Sequence, residues 1–155
     1  MTFSRSRGAA LLRLALRLAL GVVFLYAAWT KLRDSWALFA LSIDSYQVLP
    51  PWAVELVART LPWLELLIGL LLVAGVWLRI SSTATSLLLL VFLGLMVQAK
   101  IKGMQIDCGC FGLGDALSWK TLLRDGALLS GSLLLTALSF VRRPEPQRSA
   151  ARNES

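Results

Sequence analysis

Both cysteines of the chain fall in one hexapeptide, DCGCFG, running from Asp107 to Gly112. Two thiols one residue apart support three chemistries: a redox-active disulfide, half of a metal site shared between subunits, or small residues packed in a turn. A Cys-x-Cys disulfide closes a very small ring, and Gly109 at its centre relieves the backbone constraint. Strain makes such a bond easier to reduce, and so short a loop adds little stability by chain entropy. Both properties suit an exchanging bond better than a staple. Thiols react as thiolates, which neighbouring cations and helix N-termini favour. Lys100, Lys102, Lys120 and Arg124 are close in sequence, with Asp107 and Asp115 opposing them.

The chain has no histidine. That excludes histidine-ligated haem and zinc, and Ser-His-Asp or Cys-His catalysis. A structural zinc takes about four protein ligands, more than two thiolates and Asp107 supply. No metal or haem is therefore expected. The remaining groups with chemical potential are carboxylates and aromatics. Glu65 and Asp125 sit in or near apolar stretches, where a charge must face a bundle interior or a partner. Glu65 fits either a proton acceptor or an ion pair with Lys31 or Arg124, the pair being favoured. Arg124 and Asp125 would tie the start of a helix to its neighbours. Trp63, Phe111 and Trp119 suit flanking a flat quinone ring, or anchoring at a membrane interface.

The elements that must position these groups are membrane helices. The chain has 155 residues, 57% hydrophobic and 16% charged, with a mean hydropathy of +0.68. Soluble domains are nearer half apolar and a quarter charged. The net charge of +7 lacks the basic, aromatic-interleaved face of a nucleic-acid binder, so no nucleic-acid partner is expected. Crossing a bilayer takes about 20 apolar residues. Four stretches qualify, near Ala10–Thr30, Pro62–Leu78, Ser81–Ala99 and Thr121–Val141, and the second has room to extend backward through WAVELVART. Arg13 and Arg17, four apart, share a face and suit snorkelling toward headgroups. Gly69, Gly75, Gly94, Gly126 and Gly131 suit close helix contacts.

The expected fold is all-α: an integral membrane four-helix bundle over 10–141, after a cytoplasmic segment 1–9 and before a disordered basic tail 142–155. Between the first two crossings, DSWALFALSIDSYQVLPPW reads as one or two short interfacial helices. Asp34 or Ser35 would cap the first, and Pro50-Pro51 would start the second. Glu55 and Arg59 form an i,i+4 pair there. Four crossings put both termini on one side. That side carries nine of the sixteen lysines and arginines. With the basic tail, this places both termini in the cytoplasm of a bacterial inner membrane. DCGCFG then faces an oxidising compartment, where a disulfide persists.

The stretches GVVFLYAAWTKL, SYQVLP, LPWLELLIGLLLVAG, VFLGLMVQAKIKG, DCGCFG and LSWKTLLRDGALL occur in this order between Gly21 and Leu129. Together they resemble the DoxX-like superfamily, and most closely the methylamine utilisation protein MauE family, over roughly residues 10–140. The resemblance implies a four-helix membrane protein that works beside a thioredoxin-like extracytoplasmic partner in disulfide maturation. It also implies likeness to membrane thiol oxidoreductases such as DsbB and vitamin K epoxide reductase, whose cysteine pair exchanges electrons with quinone. That role falls on Cys108 and Cys110. Phe111, Trp119, Arg124 and Glu65 are the candidate quinone-side residues. Those enzymes carry a second cysteine pair, absent here, so a dithiol must come from the partner. The competing function is a non-catalytic DoxX-type membrane subunit or maturation factor that docks a partner through its outer loops.

Overall fold

The structure is a computed structural model that describes residues 3–103 and 117–140, all of its regular elements being helices. Helix α1 spans Phe3–Arg33, α2 Trp36–Asp44, α3 Pro51–Ala74, α4 Leu78–Ile101 and α5 Trp119–Phe140. All but α2 are long and apolar enough to cross a membrane. They run alternately up and down. One end of the bundle holds Arg13, the α3–α4 turn and the end of α5. The other holds Lys31, α2 and the start of α5. Helix α1 packs mainly on α3 and α4 mainly on α5, while α1–α5 and α3–α4 contacts join the two pairs.

The second crossing takes the backward extension through WAVELVART that the sequence allowed, and it ends at Ala74, short of the expected Leu78. It begins at Pro51, so the expected second interfacial helix is the first part of the crossing itself. Pro51 occupies the first helical position, where its missing N–H has no helical role. Val54, Ala58 and Leu61, at i, i+4 and i+7, then continue the buried stripe. Pro62 lies inside the helix and is buried. The helix ends early because Gly75 adopts a left-handed conformation (φ 75°) and bonds its N–H to Leu71 O at 2.8 Å. Trp77, also left-handed (φ 47°), completes the reversal into α4. Ser35 holds the N-cap position of α2 without a side-chain capping bond.

Two devices hold the pairs together. Gly21 and Gly69 meet where α1 crosses α3. A Cβ on Gly21 would lie 3.2 Å from Gly69 O, and one on Gly69 3.1 Å from Gly21 O, so the backbones touch. Between α4 and α5, Ser86 Oγ lies 3.0 Å from Ser132 Oγ and 3.1 Å from Thr136 Oγ1. Of the glycines expected at helix contacts, Gly94 and Gly126 would have open space around a side chain, and Gly75 serves the turn. Leu20, Phe24, Ile68, Leu72 and Leu135 form the central apolar cluster across α1, α3 and α5.

Arg13 and Arg17 turn inward instead of simply snorkelling. Arg13 donates to Leu138 O of α5, and Arg17 donates to Val73 O of α3 at 3.3 Å. The last carbonyls of a helix lack intrahelical partners, and a bilayer supplies none, so the arginines satisfy them.

Candidate functional site

The start of α5 is fixed by a reciprocal cap in SWKT. Ser118 Oγ accepts from the Thr121 N–H at 3.3 Å, and Thr121 Oγ1 accepts from the Ser118 N–H at 2.9 Å. Just before it, Lys100 Nζ donates to Leu117 O at 3.3 Å and lies 6.0 Å from the centre of the Trp119 ring. Met96 and Ala99 of α4 pack with Leu117 and Leu122. The end of α4 and the start of α5 are thereby held side by side. Residues 104–116 connect them, and Cys108, Cys110 and Phe111 lie among these, outside the described residues.

At the same end of the bundle are two intramembrane ion pairs. Lys31 Nζ donates to both oxygens of Glu65, at 2.9 and 2.8 Å, and the side chains are 1% and 6% exposed. Phe39 of α2 covers this pair, its ring centre 5.3 Å from Nζ. Of the two roles expected for Glu65, the ion pair is the one present, and it ties α1 to α3. The second pair is Arg124 Nε to Asp125 Oδ1 at 3.1 Å. Asp125 is buried, and its Oδ2 has no hydrogen-bond partner among the described residues. Glu55 and Arg59 form the expected surface pair at 2.6 Å.

Glu65 and Asp125 line one small cavity between the four long helices, otherwise walled by apolar residues including Phe24, Leu88 and Phe92. Its free space is about 40 Å³. Organic ligands occupy pockets of roughly 300–1,000 Å³, well above this cavity. A cavity of this size suits one or two waters between carboxylates. Of the candidate quinone-side residues, Trp119 stands apart: it is 71% exposed on the outside of α5. Arg124 is five residues on, about 140° round the helix. Glu65, Arg124 and Trp119 therefore do not form one pocket. Trp63 is likewise exposed, as an interfacial anchor would be.

The convergence of Asp125 on the Glu65 cavity was not expected from the sequence, though a signal for it exists. Leu122, Asp125, Ser132 and Leu135 are buried at helical spacing, so Asp125 lies on the stripe that faces the core. Lys100 at the foot of α5 has no comparable signal, because its partner is a backbone carbonyl.

Four apolar helices, buried ion pairs at one end and arginine-tied carbonyls at the other define a multi-pass membrane protein of the four-helix type. The chain belongs to the methylamine utilisation protein MauE family, whose model matches residues 9–138. It is 36% identical over 129 residues to the methylamine utilization protein MauE of Paracoccus denitrificans, covering 81% of this chain and 65% of the relative. The MauE protein of Methylorubrum extorquens is 31% identical over 105 residues, 66% of this chain and 56% of the relative. That of Paracoccus versutus is 32% identical over 137 residues, 86% of this chain and 73% of the relative. The chain thus spans less than two thirds of the length of the first two relatives. No solved structure matches it.

Proposed function

We propose that the protein is a membrane thiol–disulfide exchanger acting through Cys108 and Cys110, with a thioredoxin-like extracytoplasmic partner. The relatives are named for methylamine utilisation, and that is the setting proposed for this activity. The observation that carries the reading is local. The only two cysteines occupy a 13-residue connection whose ends are pinned together beside Lys100 and the capped start of α5. Cations close to the pair in sequence, Lys100, Lys102, Lys120 and Arg124, favour thiolates and support the reading.

In the exchange, a thiolate of the partner attacks the Cys108–Cys110 disulfide, forms a mixed disulfide and releases one cysteine thiolate. The partner's second thiol then resolves the mixed disulfide. The partner leaves oxidised, and Cys108 and Cys110 leave reduced with the two electrons and two protons. Regenerating the disulfide needs a two-electron acceptor. A membrane quinone reached from the lipid side near Trp119 is the class proposed.

Trapping tests the exchange. With either Cys108→Ser or Cys110→Ser, the remaining thiolate can attack the disulfide of an oxidised partner, displacing one partner thiolate. The mixed disulfide then lacks this chain's resolving cysteine and is undone only by back-attack of the partner's own thiol. Each variant should accumulate a covalent adduct with a thioredoxin-like protein, reversible by reductant and visible on non-reducing gels. Absence of any adduct, together with full function of the double serine variant, would instead favour a non-catalytic maturation factor that docks its partner.

A further inference from the structure

The charges of this chain are divided unevenly between the two ends of the bundle. Among the described residues, the Lys31 end carries Lys31, Arg33, Arg59, Lys100, Lys102, Lys120 and Arg124 together with Asp34, Asp44, Glu55, Glu65 and Asp125. At the other end, the arginines with described side chains are Arg13, Arg17 and Arg79.

At that end a concavity of about 510 Å³ opens between α1, the start of α4 and the end of α5, lined by Arg13, Trp77, Leu78, Arg79, Ile80 and Ser139. Arg13 donates to Leu138 O, and Arg79 Nε donates to Ser139 O at 3.2 Å. Two guanidinium groups thus converge on neighbouring carbonyls of one helix end. Those carbonyls carry only about half a negative charge between them. Each guanidinium has five donors, so most remain available. Arg13 Nε is buried without a hydrogen-bond partner among the described residues. No carboxylate among the described residues lies at this end.

We propose that the Arg13–Arg79 concavity binds the phosphate of one anionic phospholipid. An anion with several acceptor oxygens completes what the two carbonyls leave undone, and guanidinium groups match phosphate in geometry. The surroundings select a lipid over a free ion. Trp77, Ile80 and Phe140 are exposed around the arginines, giving acyl chains an apolar wall at headgroup depth. Basic pockets of this kind between membrane helices suit anionic headgroups.

The full-length protein, purified and placed in phosphatidylcholine vesicles with and without phosphatidylglycerol, tests the site. Phosphatidylglycerol should raise the melting temperature, and millimolar inorganic phosphate added to phosphatidylcholine vesicles should not. Native mass spectrometry of detergent-extracted protein should show a retained phosphatidylglycerol. In the double variant Arg13→Gln, Arg79→Gln the retained lipid should bind roughly 30-fold more weakly. Should that variant fail to fold, Arg13→Lys with Arg79→Lys keeps the charge, and should keep the melting shift while retaining less lipid. An equal melting shift and equal retention in the glutamine variant would overturn the proposal. So would a shift from inorganic phosphate alone, which marks a free-anion site. Loss of stability in phosphatidylcholine on replacing Glu145 and Glu154 by Gln, with no response to phosphatidylglycerol, would assign the counter-charge to the chain itself.

Discussion

At the scale of single residues, the Lys31–Glu65 pair does most to constrain the membrane interior. Its members are 1% and 6% exposed, and each is the other's compensating charge. Removing one partner of a buried pair costs about 3–5 kcal/mol, because the survivor stays buried and uncompensated. Glu65→Gln should therefore lower stability by about that amount, read as loss of folded protein in a detergent melting series. The double replacement Lys31→Met, Glu65→Leu should recover most of the loss. Equal damage from the single and double variants would mean that Glu65 acts on something other than Lys31. This pair was legible in the sequence, because a carboxylate in an apolar helix demands a partner and Lys31 stands at the end of a neighbouring crossing. The inward turn of Arg13 and Arg17 was not, since their acceptors are backbone carbonyls at helix ends whose position only the folded bundle defines.

At the scale of elements, the four crossings follow from hydropathy, and their boundaries follow from local backbone chemistry. The second crossing, expected from Pro62 with room to extend backward and running to Leu78, begins and ends earlier for one reason at each end. The buried stripe of Val54, Ala58 and Leu61 carries the helix back to Pro51, and the left-handed Gly75 stops it at Ala74. The Gly21–Gly69 contact went unread at Gly21, because a glycine in an apolar run gives no sign of which face it holds. A side chain there has nowhere to go: its Cβ would lie 2.7 Å from Val73 Cγ2. Gly21→Leu should force α1 from α3, with about 1–3 kcal/mol lost to overpacking. Gly94→Leu, where a side chain meets open space, should be near neutral. Comparing the two melting curves checks the assignment, and similar curves would remove Gly21 from the helix contact.

At the scale of the whole molecule, the bundle separates two kinds of end. One carries Arg13, Arg17 and Arg79 with no carboxylate among the described residues. The other holds two ion pairs and a carboxylate-lined cavity, and leads into the connection that bears both cysteines. The sequence shows the thiol pair and its order along the chain. It cannot show that α4 and α5 clasp the ends of that connection, since the clasp rests on a lysine reaching the Leu117 carbonyl. The central claim is that Cys108 and Cys110 form an exchanging disulfide on the face opposite the termini. Alkylation in intact cells with a membrane-impermeant thiol reagent, before and after mild reductant, measures this directly. The account predicts no labelling before reduction and labelling of both cysteines after it. Free thiols in untreated cells, or labelling only after the cytoplasmic face is opened, would contradict it.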